Sequence, residues 1–193
     1  IPFSVSLIDE ESFSLCTKLE RFYIDSMLES IQKYTFAGCI RLVDIEIPSS
    51  VKEIGMNAFS GCTSLKEISI PASVEEIKDY AFKLCSSLNK IAINSPKTKF
   101  GKNVFHGVQS LEIIGKMKRI QDNLFDDCKK LKAIKITAPV ESIGEYSFNN
   151  CVILSNVSLP NSLKEIDTNA FHGCKSLHEI NIPSSVEIIQ NEA

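Results

Sequence analysis

Phenylalanine and cysteine recur along this chain with one period. Phe13, Phe36, Phe59 and Phe82 are spaced by 23 residues, as are Phe125, Phe148 and Phe171, and three places after each stands a Cys, at 16, 39, 62, 85, 128, 151 and 174. An eighth Phe, Phe105, lies 23 residues after Phe82 and 20 before Phe125, with Val108 where a Cys would stand. Leu19, Leu42, Leu65, Leu88, Leu111, Leu131, Leu154 and Leu177 mark the same eight units. No unit of this size can bury its apolar side alone. The units must stack, each supplying its neighbours with part of one continuous core.

Within a unit the periodicity changes, and the change assigns the elements. In LKEISI, from Leu65 to Ile70, Ile68 and Ile70 share one face and Glu67 and Ser69 the other, the alternation of a strand. The first strand hydrophobe recurs as Phe22, Ile45, Ile68, Ile91, Ile114, Ile134, Val157 and Ile180, which predicts one strand per unit. Pro71 cannot donate a ladder hydrogen bond and ends pairing, and Pro2, Pro48, Pro160 and Pro183 share its phase. In NAFSGC, Phe59 and Cys62 lie three apart after the small Ala58, a spacing that predicts one or two helical turns on the opposite side. Elements repeated at a fixed period give a parallel sheet with crossovers, right-handed in nearly all cases. The expected fold is therefore α/β: a right-handed leucine-rich solenoid, with a curved parallel sheet of about eight short strands on the concave side and short helical turns on the convex side.

One unit departs from the pattern. After Phe105 the segment LEIIGKMKRI reaches Ile120 three residues early and puts Gly115 at a strand position, which predicts a bend or bulge. Residues 1–193 are expected to form a single solenoid cut inside a repeat at both ends. Ile1-Pro2 match Ile47-Pro48, and Ala193 matches Ala170, one residue before the next Phe.

IPSSVKEIGMNAFSGCTSLKEISIP and LPNSLKEIDTNAFHGCKSLHEINIPSSVEII resemble the BspA-like, or treponemal-type, leucine-rich repeat. The resemblance extends over essentially the whole chain. Departures are the three-residue deletion, Val108 in the Cys column, and Asn94 and Thr137 in the Pro column. The resemblance implies a cell-surface or secreted binding protein that attaches to host matrix proteins or to other cells, and it brings no catalytic residues. An intracellular scaffold is the alternative, since unpaired buried thiols suit a reducing compartment equally well.

Composition narrows the function classes. With 21 basic and 24 acidic side chains the chain has a net charge of −3, which argues against general nucleic-acid binding. No apolar run reaches the roughly 18 residues of a membrane span, and IPFSVSLIDEE lacks the basic start and apolar run of a signal peptide. The Cys residues form no CxxC pair for zinc. Adjacent-rung disulfides are within reach, but the favoured reading is a column of small buried hydrophobes, a role Val108 fills equally well. Ser50, Ser73, Ser162 and Ser185 recur at a phase suited to bonding turn backbone. His106, His172 and His178 make no ligand set, and Asn156-Val157-Ser158 fits a glycosylation sequon on a strand. No cofactor, metal or catalytic constellation is expected.

The outward strand face is the candidate binding surface, because its side chains are free of the core. Its two columns read Arg21, Asp44, Glu67, Lys90, Ile113, Ala133, Asn156, Glu179 and Tyr23, Glu46, Ser69, Ala92, Gly115, Lys135, Ser158, Asn181. Arg21, Tyr23, Asp44, Glu46, Glu67, Ser69, Lys90 and Lys135 are the candidate protein-binding residues, with Asp44, Glu46 and Glu67 forming an acidic patch beside Tyr23. Charge is also segregated along the chain. Residues 1–82 hold 7 basic and 13 acidic side chains, and residues 97–135 hold 10 and 4. A stacked coil turns this into a dipole along its axis that steers charged partners.

Overall fold

The structure is a computed structural model that describes residues 1–25 and 27–193. The first half contains β1 (Arg21–Phe22), β2 (Ser30–Ile31), β3 (Asp44–Ile45), β4 (Glu53–Ile54), β5 (Glu67–Ile70), β6 (Glu76–Ile77), β7 (Lys90–Ile93) and β8 (Lys99–Phe100). The second half contains β9 (Ser110–Gly115), β10 (Arg119–Ile120), β11 (Ala133–Ile136), β12 (Ser142–Ile143), β13 (Asn156–Ser158), β14 (Glu165–Ile166) and β15 (Ile188–Ile189). All pairings are parallel, as the repeat requires. The chain is a stack of rungs.

Each rung carries two strands rather than the one expected. The LxxIxI segments form the strand face, in which β1 pairs with β3 and a second sheet runs β5-β7-β9-β11-β13. The VxxI segments form a second ladder, β2-β4-β6-β8 and then β10-β12-β14-β15. The strand face has seven strands among the described residues, not eight, because the equivalent segment around Ile180 is unpaired.

The expected helical turns are absent: no helix occurs among the described residues. In NAFSGC the backbone turns left-handed at Asn57 (φ 54°) and again at Gly61 (φ 75°). These reversals break the run of right-handed residues a helix needs. Alternate amides serve different partners. Ser60 and Cys62 N–H groups donate within the rung to Asn57 and Phe59 C=O (3.0 and 3.1 Å), while Asn57, Phe59 and Gly61 donate to Asp79, Ala81 and Lys83 of the next rung (3.1, 2.8 and 2.7 Å). A helix would spend all these donors inside its own turn. Here they tie the rungs together, which is why Phe59 and Cys62 share a face without being helical.

The core lies between these three walls. Phe36, Phe59, Phe82, Phe105, Phe125 and Phe148 are fully enclosed and stack, with neighbouring centroids between 5.0 Å (Phe125–Phe148) and 6.0 Å (Phe82–Phe105). Beside them the Cys62 thiol donates to Phe36 C=O at 3.2 Å, and Cys85 to Phe59 C=O and Cys151 to Phe125 C=O at 3.1 Å. All seven thiols are free; Cys16 is exposed and Cys174 half-buried, so the buried column covers five of the seven.

The short unit alters both ladders. Alignment on Leu sets Ile91 beside Ile114, but the structure pairs Ile91 with Ile113 and Ile93 with Gly115 on one side, and Leu111 with Ile134 on the other. A one-residue slip in a strand exchanges its faces. Here it buries Leu111 and Ile113 and turns Glu112 and Ile114 outward, so Ile113 and Gly115 leave the outward columns. Gly115 has φ 101°, and a Cβ there would stand 2.4 Å from the Ile93 carbonyl oxygen, so only glycine closes this strand. The predicted irregularity also falls in the second ladder, which is interrupted between β8 and β10. Across that seam the Gln121 side chain accepts from Phe100 N–H (3.1 Å) and donates to Thr98 C=O (2.6 Å).

Candidate functional site

Side-chain alternation on the strand face turns Ile68, Ile70, Ile91 and Ile93 inward and leaves Glu67 and Ser69 exposed and Lys90 and Ala92 half-exposed. The register then sets these side chains in rows across the rungs. Arg21 stands opposite Asp44, and Glu67 opposite Lys90, which is followed by Glu112, Lys135 and Ser158. A second row holds Ser69, Ala92 and Ile114. Glu46 and Tyr23, the latter 59% exposed, continue that row one and two repeats earlier in the sequence.

The eight candidate residues do not act as one group. Lys90 Nζ lies 3.7 Å from Glu67, and Lys135 Nζ lies 2.8 Å from Glu112, so the middle and later rungs neutralise themselves. The Lys135 ammonium hydrogen-bonded to Glu112 holds that carboxyl below its ordinary range. Asp44 and Glu46 form no ion pair among the described residues. They line an open depression of about 690 Å³ together with Glu67, Ser69, Lys90, Ala92, Asn94 and Ile114. Asn94 Nδ2 donates to Ser69 Oγ at 3.1 Å, which fixes both side chains on its rim. The depression lies over β3, β5, β7 and β9; Lys135 is outside it, and so are Arg21 and Tyr23.

Glu112 and Ile114 are the strand-face residues that alignment on Leu misplaces. The signal that finds them is alternation within LEIIG itself, where burying Leu111 and Ile113 leaves Glu112 and Ile114 on the other side.

Most of the remaining polar candidates are occupied structurally. Ser50, Ser162 and Ser185 Oγ donate to the carbonyls of Leu28, Val140 and Leu163 on the preceding rung, each at 2.7 Å, while buried Ser73 Oγ has no partner among the described residues. Burial pushes the Cys85 and Cys128 thiols up to about 12, which keeps them protonated and poorly nucleophilic. His172 Nδ1 meets Asn149 Oδ1 at 3.1 Å on the turn face, and Asn149 in turn donates to Asp126 (2.9 Å). His178 lies outside the strands, in the segment before Ile180 that does not pair. Asn156 lies exposed on β13. Among the described residues no helix is long and apolar enough to cross a membrane.

Comparison with known proteins supplies the family. The BspA type leucine rich repeat region family matches residues 1–112 and 107–193, in six copies. Among solved structures, a leucine-rich repeat protein from Bacteroides ovatus is 31% identical and superposes with a TM-score of 0.73 over 98% of this chain and 56% of that one. One from Eubacterium ventriosum is 26% identical with a TM-score of 0.63, again over 98% and 56%. The leucine-rich repeat protein of T. pallidum is 29% identical with a TM-score of 0.59, over 81% of this chain and 77% of that one. This chain thus spans little more than half the length of the first two. No match was found among curated proteins. The match over the whole chain, together with the stacked rungs and their Phe and Cys columns, makes this chain a member of the BspA-type leucine-rich repeat family.

Proposed function

We infer that this chain is a non-enzymatic protein-binding module of a cell-surface or secreted protein, and that it engages host matrix proteins or other cells through the strand face. The observation that carries this reading is the pair of unneutralised carboxylates, Asp44 and Glu46, over an open depression on an otherwise rigid sheet. Backbone bonding between rungs fixes the points from which these side chains project, so a partner has only their rotamers to order. The buried thiols and the hydroxyls of Ser50, Ser162 and Ser185 are committed to the core and its carbonyls, which favours binding over catalysis.

The test is binding of the purified chain to immobilised matrix proteins. Changing Asp44, Glu46 and Glu67 together to Lys is expected to weaken binding by about tenfold or more, equivalent to about 1.4 kcal/mol. Changing Asp122 and Glu145 on the turn side to Lys is expected to leave it within about twofold. Equal effects of the two sets would reject the strand face. The seven free thiols favour a second reading, an intracellular scaffold. Labelling of intact cells with an impermeant reagent separates the two: labelling of the native protein supports the first, and labelling only after lysis the second.

A further inference from the structure

We propose that the depression on the strand face receives an extended basic segment of a partner protein, with a Lys or Arg held by Asp44 and Glu46 and an apolar side chain four residues away seated on Ala92 and Ile114. The proposal rests on the reading of this face as the binding surface and names the chemistry of what it binds.

Charge sets one end. The depression is lined by three carboxylates, Asp44, Glu46 and Glu67, against one ammonium, Lys90, and Lys90 lies beside Glu67 at 3.7 Å. Asp44 and Glu46 project from the same side of one extended segment, so their side chains start about 7 Å apart. A guanidinium or ammonium entering between them is attracted by both, whereas a carboxylate is repelled by both. Apolar surface sets the other end. The short unit turns Ile114 outward beside Ala92, and both are half-buried, so part of their apolar surface faces the depression.

Spacing then selects the segment. β5, β7 and β9 pair directly, and the β4–β6 pairing holds the β3 rung against the β5 rung, so from the β3 rung to the β9 rung is three steps of about 4.8 Å, or about 14 Å along the stack. An extended chain rises about 3.3 Å per residue and returns to the same face every second residue. Two residues reach about 7 Å and fall short, four reach about 13 Å and fit, and six overshoot at about 20 Å. The segment therefore runs along the stack, across the strands, and is read by its side chains. The register slip at Gly115 is what supplies its apolar seat: in the unslipped alignment Ile114 would point into the core.

The experiment uses fluorescein-labelled peptides of Ser and Thr carrying one Arg with one Leu two, four or six positions away, titrated with the whole chain and followed by anisotropy at low salt. The four-residue spacing is expected to bind about tenfold more tightly than the other two. Asp44→Asn with Glu46→Gln removes the preference for Arg over Gln, and Ile114→Ser removes the preference among spacings; circular dichroism checks that both variants fold. Equal affinity for the three spacings, no measurable binding, unchanged affinity in the Asp44→Asn/Glu46→Gln variant, or tighter binding of a Glu-for-Arg peptide would each overturn the proposal. So would displacement of the peptides by self-association, which would assign the depression to the basic 97–135 region of a second copy. If spacing is immaterial while the triple Lys variant still loses matrix binding, this inference fails and the binding-face reading stands. If that variant binds matrix proteins unchanged, the reading fails as well.

Discussion

Gln121 serves Phe100 in place of a neighbouring strand: across the seam in the second ladder its side-chain amide accepts the Phe100 N–H at 3.1 Å, and it also donates to Thr98 C=O at 2.6 Å. One carboxamide thus presents an acceptor and a donor, as a backbone peptide group would. Gln121→Ala is expected to cost about 1 to 2 kcal/mol by leaving both backbone groups without partners. Amide hydrogen exchange checks it. Exchange at Phe100 should accelerate more than at Ile77 or Ile143, which lie within continuous ladder; uniform acceleration would point to global destabilisation instead.

The phenylalanine column should dominate stability. Phe82 stacks between Phe59 at 5.3 Å and Phe105 at 6.0 Å and has no solvent exposure. Phe82→Ala is expected to cost about 3 to 5 kcal/mol in urea unfolding. Phe13→Ala, at a half-exposed position in the same column, should cost clearly less.

The thiol column predicts sensitivity to alkali. Burial raises Cys85 from 9.0 to about 12, so the folded chain holds this proton to higher pH than the unfolded chain does. Its stabilising contribution is complete below pH 9 and is lost as pH rises towards 12. The slope is about 1.4 kcal/mol per pH unit for one such thiol. Under reducing conditions, Cys85→Val should lose about 2 kcal/mol less than the unaltered chain between pH 9 and 10.5. Parallel losses would show that the thiol titrates normally. Serine fits this column as well: Cys62→Ser would find the Phe36 carbonyl as a ready acceptor, so its hydroxyl would not be orphaned.

Two left-handed residues should respond oppositely to substitution. Gly115→Ala puts a Cβ 2.4 Å from the Ile93 oxygen at φ 101° and is expected to cost about 2 kcal/mol or more. Leu84 takes φ 59° in the column that Gly38, Gly61 and Gly107 occupy elsewhere, and it is 45% exposed. Leu84→Gly should stabilise by up to about 1 kcal/mol. Thermal melts of the two variants, shifting in opposite directions, check both.

Much of this was legible in the sequence, because a fixed period turns each recurring residue into a column. The Phe, Cys and Leu columns and the LxxIxI strand of seven rungs follow directly. The second ladder was not legible. Its strands are two residues long and are held by backbone bonds between rungs, and Val and Ile in SVxxI carry no alternation long enough to read. The helical turns were misread because a three-residue repeat of Phe59 and Cys62 fits a helix and a series of left-handed reversals alike; Asn57 and Gly61, residues tolerant of positive φ, were the distinguishing signal. In the short unit, alignment on Leu overrode the alternation of Leu111 and Ile113. That error placed Ile113 on the binding face and hid Glu112, the partner that neutralises Lys135.

The central claim is that partners bind at Asp44 and Glu46 on the strand face. Carbodiimide labelling of carboxylates, read by mass spectrometry with and without a bound matrix protein, tests it most directly. Asp44 and Glu46 should lose labelling on binding while Asp122 and Glu145 on the turn side keep theirs. Protection of Asp122 and Glu145 with Asp44 and Glu46 still fully labelled would contradict it.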